Sequence, residues 1–157
     1  MKKLSNSQRI QIMGAVSDQL NDVMIPRDQM MSWGNIKELA ADGFIIGSHS
    51  HTHPMLALLE DHQEIEAELK TSYLKITDQL GHSPATISYP IGSFDERVIS
   101  LSKKTGYRFG LAVGQKFYNT KNDSLFAIPR IELYQQPWYK VQTRINGIYT
   151  ALKQVWK

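Results

Sequence analysis

The sequence contains no cysteine. That excludes a disulfide scaffold and any zinc site built on thiolates, and it leaves the cellular compartment open. Long apolar runs are also missing. Those present are a few residues long, Phe44-Ile45-Ile46 among them, far short of a membrane-spanning helix. Met1-Lys2-Lys3 resembles the start of a secretory signal, but Ser5, Asn6, Ser7, Gln8 and Arg9 follow in place of an apolar segment, so no signal peptide is expected in these residues. Charge of one sign is scarce: 18 basic against 15 acidic residues give a net +3. No block of five like charges suggests a nucleic-acid arm. Internal repeats and low-complexity tracts are absent.

What remains suits one globular α/β domain over residues 1–157. Apolar residues make up 41% and aromatics 10%, which is the wrong composition for disorder. A chain of this length can bury roughly 68–70% of its unfolded surface. It is short for a complete (β/α) barrel, which usually takes ~200 residues or more.

The apolar pattern predicts helices and strands in alternation. Ile10, Met13, Val16, Leu20 and Val23 predict an amphipathic helix over 6–23, broken by Pro26 and Arg27; helix and loop together occupy 1–30. Ser32 is a helix cap, with Ile36, Leu39 and Ala40 inside and Gly43 as the stop. Phe44-Ile45-Ile46-Gly47 reads as a short buried strand. Asp61 and Glu64 form an acidic capping box for a third helix with Ile65, Leu69, Tyr73, Ile76 and Leu80 as its stripe and Gly81 as its end. Ala85–Tyr89 reads as a strand. A helix follows over 95–105, started by Asp95, lined by Val98, Ile99 and Leu101 and closed by Gly106. Tyr107–Val113 and Phe126–Leu133 read as strands. A final amphipathic helix over 137–157 carries Trp138, Val141, Ile145, Ile148, Leu152 and Val155. The alternation predicts a mostly parallel sheet.

Three of the five histidines fall in one pentapeptide, His49-Ser50-His51-Thr52-His53, directly after the first expected strand. Sites in parallel α/β folds form at the carboxyl ends of strands, and imidazole is a common ligand of divalent metals. An extended segment would put all three rings on one face. A helical one would bring His49 and His53 together and turn His51 away. Two histidines leave a catalytic zinc site one protein ligand short.

These residues carry a family resemblance. Residues 31–59 resemble the polysaccharide deacetylases (NodB-homology carbohydrate esterases), whose H-[ST]-x-x-H motif is matched by His49, Ser50 and His53. Ile87-Ser88-Tyr89-Pro90-Ile91-Gly92 resembles the F-x-Y-P-x-G motif of one branch. Gly106-Tyr107 and Ile128-Pro129-Arg130-Ile131 match later G-Y and L-P-R-I segments in the same order. The resemblance implies a distorted or incomplete (β/α) barrel that removes N- or O-acetyl groups from an acetylated polysaccharide or oligosaccharide. It implies a divalent ion, zinc first, with nickel, cobalt or manganese as alternatives, held by His49 and His53. Ser50 and His51 would support the loop. The Ile91 N–H would serve an oxyanion hole, and Tyr89, Pro90 and Gly92 would shape the acetyl pocket. Arg130 would position charge. Family members often act in the cell envelope or outside the cell.

The same comparison exposes what is missing. No adjacent Asp-Asp pair occurs, although the family's T-F-D-D motif supplies both the catalytic base and the third ligand. Ser88 stands where many members carry an Arg, and no His follows His82, which reads as a loop residue. Asp95, Asp123 or a carboxylate of another chain are the substitutes to consider. Three rival readings follow: a truncated or degenerate member that binds metal or glycan without turnover; a glycan-binding module using Trp33, Trp138, Tyr89, Tyr134 and Tyr139; and an amidohydrolase-type H-x-H site at His49 and His51. The amphipathic helices of 10–23 and 138–155 could be covered by a second copy of the chain.

Overall fold

Three short strands form one parallel sheet in the order β1-β2-β3, with β1 at Thr86–Ser88, β2 at Phe109–Val113 and β3 at Ile128–Arg130. The computed structural model describes residues 5–20 and 30–155. Its helices are α1 (Asn6–Gln19), α2 (Trp33–Ala41), α3 (His62–Leu80), α4 (Glu96–Thr105), α5 (Trp138–Ile145) and α6 (Ile148–Val155). The expected positions Val23, Pro26 and Arg27, and the last two residues of the C-terminal helix, lie outside the described residues.

Helix ends form where the capping chemistry predicts. Ser32 accepts from the Asn35 N–H, and Asn35 returns the bond to the Ser32 N–H, satisfying two donors at the start of α2. Asp95 accepts from the Val98 N–H at 3.0 Å and starts α4. Gly81 and Gly106 end α3 and α4 in the left-handed region, at φ 75° and 115°. At α3 the capping box is only half made: Asp61 accepts from the Gln63 N–H, and Glu64 makes no return bond to the cap.

The core lies between the sheet and helices α3 and α4. Ile65 and Leu69 of α3, Val98 and Ile99 of α4, and Ile87, Tyr89, Tyr107 and Phe126 form one buried cluster with Leu56 and Leu59. Strand alternation explains the arrangement. Ile87, Gly110 and Ala112 are buried on the helix side. Ser88, Leu111 and Ile128 are register partners on the other face and are only partly buried. Arg97 closes the edge of the core, donating to the carbonyls of Leu59 and Ala57 at 3.1 and 3.0 Å while pairing with Asp95.

Three expectations are corrected. Phe44–Gly47 is not a buried strand: Phe44 and Ile45 are 63% and 87% exposed, and only Ser48 forms a bridge, to Ile87. Among the described residues, pairing begins only at Ser48 and on one side, so the apolar run before it has no surface to bury against. The C-terminal helix is two helices, because Asn146 and Gly147 interrupt it, with Gly147 at φ 76°. The stripe side chains of α1 and of α5–α6 that are described are exposed or half-buried rather than buried. Ile10 is 65% and Trp138 67% accessible: period fixes which face is apolar but supplies no partner for it.

Candidate functional site

His49 emerges from a point fixed on two sides. The preceding residue, Ser48, donates its N–H to Thr86 O at 2.9 Å and accepts from the Ser88 N–H at 2.8 Å. Its buried hydroxyl bonds that of Ser72 on α3 at 2.8 Å. His49 Nδ1 lies 2.6 Å from Ser88 O. A carbonyl can only accept, so Nδ1 carries the proton and the Nε2 lone pair is left available to a ligand. This carbonyl partner was not expected from the sequence, since the two residues are 39 apart in the chain.

The pentapeptide is neither extended nor helical. It turns through left-handed backbone at Ser50 (φ 64°) and His53 (φ 60°), and Ser50 Oγ accepts from the His53 N–H at 3.1 Å. The turn brings the rings of His49 and His53 edge to face with centroids 4.8 Å apart. His51 stays exposed and joins neither ring.

The Tyr89–Gly92 turn is the second strained segment. Ile91 adopts φ 56°, ψ 13° within a single 3-10 turn, a region that costs a β-branched residue on the order of 1–3 kcal/mol. The bonds of this turn run from the Gly92 N–H to Tyr89 O and from the Ser93 N–H to Pro90 O, which leaves the Ile91 N–H outside them. Gly92, at φ 69°, is held to glycine twice: a Cβ there would lie 2.9 Å from Val113 Cβ. Among the described residues, the non-glycine positions with positive φ are Ser50, His53 and Ile91. All three fall in the two motif loops.

Tyr89 corrects an expectation. Its ring is wholly buried and stacks on Phe94 at 4.7 Å, and its hydroxyl donates to Phe126 O at 3.0 Å. Pro90 is enclosed as well. Neither side chain can wall an open acetyl pocket; they anchor the turn that presents Ile91.

The candidate carboxylates are committed elsewhere. Asp95 caps α4 and pairs with Arg97 at 2.8 Å. Partial burial raises its pKa, but the bonds from Val98 and Arg97 together outweigh that and hold it below the usual carboxylate range. Asp123 accepts from Lys116 and from the Asn119 N–H, which also lowers its pKa. Arg130 is half-buried, and its Nε donates to Ala112 O at 3.3 Å. His82 caps a carbonyl in an exposed loop. Among the described residues no group of three or more His, Asp or Glu side chains is placed to hold one ion. The two imidazoles therefore suit a borderline metal in type and spacing, but they amount to two protein ligands of the usual three.

Comparison with known proteins locates this arrangement. The family model described as Polysaccharide deacetylase matches residues 10–110, a span that includes both strained loops. The Bacillus subtilis (strain 168) protein YxkH, whose name carries the same family, is 30% identical over 99 residues, which is 62% of this chain and 34% of its own length. The Streptococcus pyogenes deacetylase PplD, solved in complex with acetate, matches with a TM-score of 0.67 at 21% identity, over 75% of this chain and 52% of that one. A polysaccharide deacetylase from Bacillus cereus matches with a TM-score of 0.66 at 26% identity, over 77% of this chain and 38% of its own. The chain spans about a third of the curated relative and about half or less of these two structures. The parallel sheet with helices on one face is accordingly an incomplete barrel of the deacetylase type.

Proposed function

The chain belongs to the polysaccharide deacetylase family, and on that premise we propose that His49 and His53 hold a divalent metal ion, zinc first, at which an acetyl group of a glycan is hydrolysed. The observation that carries this reading is the convergence of the two rings at 4.8 Å, with His49 Nδ1 bonded to a carbonyl. A bound ion would polarise the acetyl carbonyl and lower the pKa of its water. His49 is held in the tautomer that leaves Nε2 for the ion, by the same carbonyl support that orients metal-binding histidines in general. Ile91 offers a backbone N–H to the oxygen on which negative charge develops, from a backbone already set in its strained form. Gly92 permits the close approach of that turn to β2. Arg130, on the last strand, adds positive charge on the sheet edge that follows. The third ligand and the general base would come from outside the described residues, since Asp95 and Asp123 are engaged. PplD, solved with acetate, gives the expected product class, and N- and O-acetyl linkages both fit it.

The incomplete ligand set favours a second reading, a family member that binds metal or glycan without turnover. Two measurements separate them. Titration with Zn²⁺ or Co²⁺ should show one ion per chain, lost in His49→Ala and His53→Ala; unchanged stoichiometry in the double variant would remove the assignment. Acetate release from an acetylated chito-oligosaccharide, abolished by chelator, would exclude the non-catalytic reading. Exposure of the α1 and α5–α6 stripes supports association with a second copy. Light scattering across a concentration series should show a mass above 17.9 kDa, and a monomer at every concentration would contradict it.

A further inference from the structure

The geometry points to Glu68 as the residue that sets the conformation of the histidine loop, and through it the approach of His49 to His53. Glu68 projects from α3 on the same side as Ile65 and Ser72, three and four residues away on the helix, and is half-buried. Its Oε2 accepts from the backbone N–H groups of both His51 and Thr52, each at 2.8 Å, and its Oε1 accepts from the Thr52 hydroxyl at 2.6 Å. One carboxylate thus binds three donors from the two residues at the centre of the pentapeptide. Bonds to an ionised acceptor are the stronger class. Glu68 takes part in none of the ion pairs among the described residues, which are Arg97–Asp95, Lys104–Glu66 and Lys116–Asp123. These loop donors solvate its carboxylate in place of water.

The loop needs such a hold. Ser50 and His53 sit in left-handed backbone, which L-residues leave unless surrounding contacts over-determine it. The His49 end is fixed through Ser48 to the sheet and to Ser72. At the other end the Ser50–His53 bond is local to the loop. Among the described residues, Glu68 alone ties the middle of the loop to a rigid helix. Three donors occupy it, and among the described residues it is not grouped with the two histidines to hold one ion, so it acts as a positioning residue and not as the missing third ligand.

The consequence for metal affinity rests on the metal reading above; the conformational claim does not, and it is tested first on the metal-free protein. NMR of the whole chain should show nuclear Overhauser contacts between the His49 and His53 rings and slowed exchange of the His51 and Thr52 amides. Glu68→Ala should lose both, while amides of α3 and α4 remain protected. Glu68→Gln should keep them, because the carboxamide oxygen can accept from both N–H groups and its NH₂ can donate to the Thr52 hydroxyl. Thr52→Val, which removes only the Oε1 contact, gives an intermediate loss and serves if Glu68→Ala does not fold. With Co²⁺ as probe, Glu68→Ala should weaken binding roughly 10–100-fold, and Glu68→Gln by less than that. Ring contacts and amide protection that persist in Glu68→Ala would overturn the assignment. A wild-type chain that binds no Co²⁺, yet loses the ring contacts in Glu68→Ala, would remove the metal reading and support the role of Glu68.

Discussion

Gly110→Ala is expected to destabilise the fold by about 3 kcal/mol, a large loss for a single methyl group. Gly110 lies opposite Ile87 in the sheet, on the face covered by the helices, and its φ is one that alanine accepts. The backbone therefore raises no objection, and alanine would even reduce the entropy of the unfolded chain by about 0.4–1 kcal/mol. The obstacle is space. A Cβ at this position would fall 2.6 Å from the Phe126 carbonyl oxygen and 2.8 Å from Cζ of Tyr89, with the Tyr89 hydroxyl closer still. The carbonyl is backbone, and the ring is stacked on Phe94, so neither neighbour can swing away. Overpacking of this kind costs about 1–3 kcal/mol. If Tyr89 moves, its buried hydroxyl loses Phe126 O, at a further cost of about 1–3 kcal/mol. Tyr89 is also the residue before the Pro90–Gly92 turn, so the displacement carries into the candidate oxyanion donor at Ile91. Denaturant unfolding checks the magnitude, and Gly110→Ala within about 0.5 kcal/mol of wild type would show that the Tyr89–Phe126 contact is looser than described. Adding Tyr89→Phe should recover only part of the loss, because the carbonyl and ring contacts remain.

Such a constraint is not legible in the sequence, and the contrast with what is legible has a physical cause. Asp95 and Gly106 mark the ends of α4, and Ile65, Leu69 and Ile76 mark the inner face of α3, because capping and periodicity are local properties written within a few residues. The two histidines at H-x-x-x-H spacing and the Tyr-Pro-Ile-Gly turn are legible for the same reason. The convergence of His49 on His53 is not: the spacing is compatible with extended and helical backbone, and the choice is made by left-handed turns at Ser50 and His53. Glu68 and the Ser88 carbonyl approach the loop from elsewhere in the chain. One signal was available for Glu68, since a carboxylate among Ile65, Leu69 and Ser72 on the inner side of a helix requires donors. Phe44–Gly47 fails in the opposite direction. Its composition describes a strand buried on both sides, but among the described residues only one side is paired.

The second large effect is a loss of stability at alkaline pH, centred on Tyr89 and Tyr107. Burial pushes both phenols up to about 12 from the ordinary 10. Each hydroxyl donates to a backbone carbonyl at 3.0 Å, Tyr89 to Phe126 O and Tyr107 to Leu69 O. A phenolate could not make either bond, and a buried charge would replace a neutral group. The folded state thus holds these protons more tightly than the unfolded chain does. Their contribution is fully present below pH 10, shrinks as the unfolded chain begins to ionise, and is gone once the pH passes about 12. Two units at 1.36 kcal/mol each give on the order of 2–3 kcal/mol per tyrosine. The pair together could consume much of the 5–15 kcal/mol typical of a domain. Absorbance at 295 nm should show two of the seven tyrosines ionising only as the circular dichroism of the helices is lost. Tyr107→Phe should cost about 1 kcal/mol at neutral pH, from the lost bond to Leu69 O, and should flatten the alkaline limb by removing one of the two titrating groups. Ionisation of every tyrosine near pH 10 with the helical signal intact would contradict the burial of both rings. Because Tyr89 anchors the turn that carries Ile91, any deacetylase activity should fall along the same alkaline limb as the helical signal, so that the upper pH limit of the site is set by the core beneath it.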